Sequence, residues 1–172
     1  IVMSVGGLLL AAAYPFMKRY THLPQVVLGA AFSWAIPMAF AAEQEALPPV
    51  AWLLFFANLA WTVAYDTFYA MADRDDDLKA GVKSTAILFG RHDLAIIAAL
   101  QALALGLLAA AGQVAGLGWP FHASLAVAAL LFLYEYRLAR HREPQACLAA
   151  YLHNNWVGMA VFAGIYLAFV TA

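Results

Sequence analysis

Between Tyr65 and Gly90 the sequence reads YDTFYAMADRDDDLKAGVKSTAILFG, and half of its acidic side chains are gathered there. If the helix that follows Trp52 continues through this segment, Asp66, Asp73 and Asp77 recur at i, i+7 and i+11. At about 100° per residue they fall within about 40° of one another on one face. Asp73 and Asp77 are then one turn apart, with Cβ atoms roughly 5–6 Å from each other. Tyr69 lies on nearly the same stripe. Two carboxylates at that separation repel unless a cation sits between them. Paired Asp oxygens suit Mg²⁺, a hard ion held by one or two carboxylates together with substrate phosphates. The chemistry on offer is therefore capture of a phosphate or diphosphate through a divalent ion. Asp75 and Asp76 lie about 160–180° and 80–100° away from the Asp66 stripe. Gly81 breaks the helix, and Lys83, Ser84 and Thr85 follow, where a cation and hydroxyls can meet an anionic group. The same acids also fit a solvated loop with Arg74 and Lys79 as local partners; on spacing alone both readings stand.

A second candidate is YPFMKRYTHLPQ, Tyr14 to Gln25. Lys18 and Arg19 can attract a diphosphate, but they are equally the cations that fix the topology of a membrane protein. His22, His92, His122, His141 and His153 show no ligand spacing and are expected to be interfacial or solvated. Asn154 and Asn155 are expected to cap the last helix or to hydrogen-bond inside a bundle.

The elements that must position these groups follow from composition. Of 172 residues, 66% are hydrophobic and 11% charged, against about 25% charged in an ordinary soluble domain. Charge-free runs extend over Pro24–Ala42, Ala46–Tyr65, Leu94–Tyr134 and Pro144–Ala172, and a spanning helix needs about 20 predominantly apolar residues. The third run is long enough to cross twice, with GQVAGLGWP (Gly112 to Pro120) supplying the reversal. In lipid the backbone must satisfy its own hydrogen bonds, so helices are the expected element. The fold class is all-α: a polytopic transmembrane helix bundle with five full spans near 24–42, 48–70, 94–111, 119–139 and 154–171. An apolar stretch over 1–13 is too short to cross, opens on Ile and lacks a basic n-region, and is expected to be a partial first span, the end of a longer helix. The five Trp residues suit interfacial belts or helix contacts.

With these spans, residues 14–23, 71–93 and 140–153 lie on one side, and 43–47 and 112–118 on the other. All nine Lys and Arg residues fall on or beside the first set, and Glu43 and Glu45 on the second. The basic side is expected to be cytoplasmic. Asp66 sits close to that boundary, where an ionisable residue is either functional or a surface Asp just past the interface.

The segments YPFMKRYTHLPQVVLGAAFSWAIPMAFAA, YDTFYAMADRDDDLKAGVKSTAILFG and NNWVGMAVF closely resemble the bacterial 4-hydroxybenzoate polyprenyltransferases of ubiquinone biosynthesis, within the intramembrane aromatic prenyltransferase family. The resemblance covers essentially the whole chain. It implies a nine-helix bundle around a cavity, with two Asp-rich motifs facing each other at the cytoplasmic end. Asp73 and Asp77 match the second motif, DxxxD. The first, NDxxDxxxD, has no match, so residues 1–172 are expected to be the C-terminal part of one prenyltransferase domain, helices 4 to 9, inactive alone.

By the same resemblance Asp73 and Asp77 hold Mg²⁺ and the diphosphate, with Asp66 supporting catalysis. Lys83, Tyr69, Lys18 and Arg19 bind substrate. The implied substrates are a polyprenyl diphosphate and 4-hydroxybenzoate, prenylated at the ring carbon ortho to its phenol. The implied setting is the bilayer of the bacterial cell inner membrane, with no nucleic-acid partner. Another acceptor, or a channel or transporter with a cytoplasmic cation-binding Asp cluster, is the alternative. A conduction pathway expects ionisable groups buried mid-span, and these spans are almost free of them.

Overall fold

The computed structural model describes residues 2–171; Ile1 and Ala172, the two ends of the expected 1–172 unit, lie outside the described residues. Among the described residues nine α-helices follow one another: α1 (Val2–Tyr20), α2 (Pro24–Ser33), α3 (Ala35–Gln44), α4 (Pro49–Ala72), α5 (Arg74–Ala80), α6 (Thr85–Phe89), α7 (Asp93–Val114), α8 (Trp119–Ala139) and α9 (Pro144–Val170). No strand occurs among the described residues. Pro24, Pro49, Pro120 and Pro144 each stand in the first turn of a helix, where a missing N–H costs no intrahelical bond.

α4 is the central element, packed against α2, α7 and α9, while α8 pairs with α9 and α7. Its buried face is built largely from small residues, Ala51, Ala57, Ala60, Ala64 and Ala70, which let neighbouring backbones come close. The same device operates at the far end of α8. A Cβ at Gly112 would lie 2.3 Å from the Phe121 ring, and one at Gly164 would lie 2.0 Å from Ser124 Oγ. Gly112 is therefore a packing residue inside α7, and the reversal itself occupies Ala115–Gly118.

The outer surface is apolar. Leu103, Leu130, Phe162 and Phe169 are all at least half exposed, the arrangement expected where lipid is the solvent. The fold is an all-helical membrane bundle, and each of the five expected spans falls on helix. Two stretches, Pro24–Gln44 and Thr85–Val114, are by length and composition apolar enough to cross unaided. The helices α4, α8 and α9 are 24, 21 and 27 residues long, enough for a bilayer core of about 30 Å. They carry more polar groups, of which Thr62, Asp66, Thr67, Ser124, Glu135 and Asn154 are buried.

Three boundaries differ from the sequence expectation. α1 continues to Tyr20 instead of ending near 13, with Pro15 inside it and Lys18 and Arg19 in its last turn, where cations favour the negative helix end. The span over 24–42 is two helices, broken at Trp34. Pro37 supplies no N–H to Ser33 and its ring crowds that carbonyl. α9 begins at Pro144, well before the expected 154, so Asn154 lies mid-helix and does not cap it.

Candidate functional site

The polar end of the bundle is assembled from the end of α1, the α4–α5 junction and the loop leading to α6. α4 does not run unbroken through the acidic motif. Asp73 has φ −90° and ψ 2°, which bends the chain, and α5 restarts at Arg74. The bend preserves the helical ladder on either side, with Asp73 N–H donating to Tyr69 O (3.1 Å) and Asp77 N–H to Asp73 O (2.8 Å). Gly81, at φ 68°, ends α5 in a left-handed turn, a conformation that costs Gly little.

The acids fall into two groups. Asp66 and Asp77 are buried and Asp73 is half-buried, whereas Asp75 and Asp76 are exposed. Asp76 pairs with Lys79 at 3.0 Å on the outside, and its carboxylate raises the Lys79 ammonium above the usual range through that hydrogen bond. The solvated-loop description therefore fits Asp75 and Asp76. It does not fit Asp77, whose Oδ1 accepts from Lys18 Nζ at 3.1 Å. The other oxygen, Oδ2, is buried without a hydrogen-bond partner. A buried carboxylate oxygen with no donor is costly unless a cation or donor reaches it. Lys18 and Asp73 both act electrostatically on Asp66, so these groups share one field.

Of the basic candidates, the structure brings Lys18 to the acids and leaves Arg19 exposed on the outer side of α1. Lys83 is tied to the same place by its backbone, N–H to Lys18 O at 2.9 Å. Its ammonium donates to Tyr20 O at 3.2 Å. Behind it, Gln25 Oε1 accepts from Thr85 N–H (3.1 Å) and the Thr67 and Thr85 hydroxyls are 2.8 Å apart. Thr85 is thus engaged inside the protein, while Ser84 Oγ is buried without a partner.

Membrane-ward of the acids lies a cavity of about 410 Å³ lined by Asn58, Trp61, Tyr65, Tyr151, Asn154 and Asn155, among others. Tyr69 links rim to cavity: its ring lies 5.2 Å from that of Tyr151, which in turn lies 5.9 Å from Tyr65. Tyr14 on α1 is coupled electrostatically to Asp66, Tyr69 and Tyr151. Asn154 fixes the wall, accepting from Trp61 Nε1 at 2.9 Å and donating to Ala150 O at 3.0 Å. An aromatic, amide-edged cavity below an acidic rim can hold an apolar chain or ring with a polar head at the rim.

Sequence reasoning assigned nothing to Tyr151 or Glu135, and expected His153 at an interface or in solvent. Glu135 is fully buried, with Gln101 Nε2 donating to Oε2 (3.2 Å) and His153 Nδ1 facing Oε1 (3.1 Å). The signal was available, since an acid near the end of an otherwise apolar run is unusual. Among the described residues no group of three or more His, Cys, Asp or Glu is placed to hold a metal by itself.

The chain matches the model of the UbiA prenyltransferase family over residues 1–157. It is 66% identical to a 4-hydroxybenzoate octaprenyltransferase of Ectopseudomonas mendocina, over 97% of this chain and 56% of that protein. It is 64% identical to the one from Azotobacter vinelandii, over 97% and 57%. It spans just over half the length of the curated relatives it matches. Its fold is similar to the apo structure of a UbiA homolog from Aeropyrum pernix K1, at TM-score 0.80 and 27% identity, covering 98% of this chain and 63% of that one. A digeranylgeranylglyceryl phosphate synthase structure shares the fold at TM-score 0.81 and 18% identity, over 97% and 60%.

Proposed function

This chain belongs to the UbiA prenyltransferase family, and we propose that it is the C-terminal part of a 4-hydroxybenzoate polyprenyltransferase of ubiquinone biosynthesis. The reaction moves a polyprenyl group from its diphosphate to the ring carbon ortho to the phenol of 4-hydroxybenzoate. The observation that carries the reading is the pairing of a buried, under-satisfied Asp77 with a half-buried Asp73, set above the aromatic cavity.

Asp73 and Asp77 are the ligands for Mg²⁺, with Asp66 behind them. Two hard carboxylates supply only part of a Mg²⁺ shell, which suits an ion completed by substrate phosphates and a facing acidic motif. An ion held there would supply charge neutralisation for the departing diphosphate. Lys18, already 3.1 Å from Asp77, and Lys83 are the cations nearest that diphosphate; Arg19 contributes at longer range or to the benzoate carboxylate. Tyr65 and Tyr151 line the space where the allylic end would lie, with Tyr69 packed on Tyr151 at its rim. The test is transfer in membranes bearing the complete protein, with polyprenyl diphosphate and labelled 4-hydroxybenzoate. Mg²⁺-dependent formation of a prenylated acid is expected; absence of product with abundant, folded protein would overturn the assignment.

The setting is the bacterial inner membrane, with the acidic rim cytoplasmic, supported by the one-sided distribution of Lys and Arg. Cys147, the only cysteine, is fully buried. A cysteine introduced at Glu45 therefore supplies the single accessible thiol of residues 1–172. An impermeant maleimide is expected to label it from the periplasmic side of intact cells whose outer membrane has been opened. Labelling only after the cytoplasmic face is opened would reverse the orientation.

A further inference from the structure

Asp93, the first residue of α7, is completely buried. Its carboxylate is saturated by groups from distant parts of the chain. Arg74 Nη2 donates to Oδ2. Arg142 Nε donates to both oxygens (3.0 and 3.2 Å) and its Nη2 to Oδ1 at 2.9 Å. The amide of Leu94 donates to Oδ1 at 2.7 Å.

The two arginines have different neighbours. Arg142 closes the turn between α8 and α9, where its φ of 58° is one that side chains rarely adopt. Its Nη2 also donates to Arg91 O at 3.0 Å. That half of the clamp joins helices. Arg74 instead follows Asp73 directly and opens α5, a helix of seven residues that carries Asp77. A helix that short has no stability of its own, so its direction is set by what its side chains hold. Two ion pairs tie α5 to distant parts of the chain, Lys18 with Asp77 and Asp93 with Arg74. The first uses a site acid itself. The second leaves both site acids free.

We propose that Asp93 is a positioning residue for the diphosphate-binding acids: through Arg74 it fixes the bend at Asp73 and the direction of α5, and so the relative placement of Asp73 and Asp77. The inference rests on the reading of those two acids as Mg²⁺-diphosphate ligands. Groups that orient metal ligands from behind typically change metal affinity or activity by about 10–100-fold when removed.

The test uses the complete protein with Arg74→Gln, Arg74→Lys, Asp93→Asn, Arg142→Gln and, as reference, Asp73→Ala. Two readouts are taken: the Mg²⁺ concentration giving half-maximal prenyl transfer, and the rise in melting temperature produced by Mg²⁺ with inorganic pyrophosphate. Arg74→Gln is expected to raise the Mg²⁺ requirement by about 10–100-fold and to shrink the thermal shift, with Arg74→Lys recovering part of both. Arg142→Gln is expected to lower the melting temperature of the unliganded protein while leaving the Mg²⁺ requirement near wild type. Should Asp93→Asn fail to fold, Arg74→Gln decides. If Arg74→Gln behaves like Arg142→Gln, with lower stability and an unchanged Mg²⁺ requirement, the positioning role is wrong. If Asp73→Ala itself leaves both Mg²⁺ readouts unchanged, the fault lies in the reading of the acids.

Discussion

Asp73→Ala and Asp77→Ala, made singly in the complete protein, are each expected to lower Mg²⁺-dependent prenyl transfer by about 10²–10³-fold, the usual loss when one charge-stabilising group is removed. The same substitution at Asp75 or Asp76 is expected to cost far less. The contrast has a structural cause. Asp77 is only 6% exposed and keeps one oxygen without a partner, so whatever cation reaches it finds a ligand already stripped of water. The Asp76 side chain is 83% exposed and already paired with Lys79, and an exposed pair of that kind contributes little. Asp75 is likewise at the surface. The measurement is prenylation of 4-hydroxybenzoate in membranes for the four variants at matched expression. Equal and mild losses at all four positions would reduce the segment to a solvated acidic loop and leave the buried oxygen of Asp77 without a role.

The second large effect concerns stability. Glu135→Ala is expected to destabilise the protein by on the order of 3 kcal/mol, since it strands the buried Gln101 amide, a loss of about 1–3 kcal/mol, and empties the space of a fully buried side chain. Gln101, 3% exposed, loses the acceptor of its amide, and His153 loses the oxygen facing its Nδ1. Glu135→Gln keeps an oxygen for Gln101 and is expected to lose much less. Thermal unfolding of both variants in the same detergent checks this. A wild-type melting temperature for the Ala form would mean that the Glu135 side chain is not what holds α7, α8 and α9 together at that level.

The spans were legible because apolar run length is a one-dimensional property: the helices α4, α7 and α8 begin and end within a few residues of where charge and Pro or Gly predicted. The helical stripe of Asp66, Asp73 and Asp77 was legible for the same reason, since a 3.6-residue period survives the small bend at Asp73. What escaped depends on partners far away in sequence. Asn154 looked like a cap because a charge-free run does not disclose that α9 starts back at Pro144. His153 looked solvated because its partner, Glu135, stands on another helix. The kink at Trp34 was written in Pro37, but run length is blind to it.

One contact at the acidic rim is made without side chains. The α5–α6 loop is joined to the end of α1 by Lys83 N–H and Lys18 O, 2.9 Å apart. Any residue but proline can donate at position 83, and any residue can accept at position 18. This contact is therefore inherited with the backbone, independent of which side chains stand there, unlike the Lys18–Asp77 and Lys83–Tyr20 ties beside it. Selection is free to retune the charge, length and reach of both residues, and so the electrostatics of the rim, across descendants of this sequence without loosening the frame that presents them.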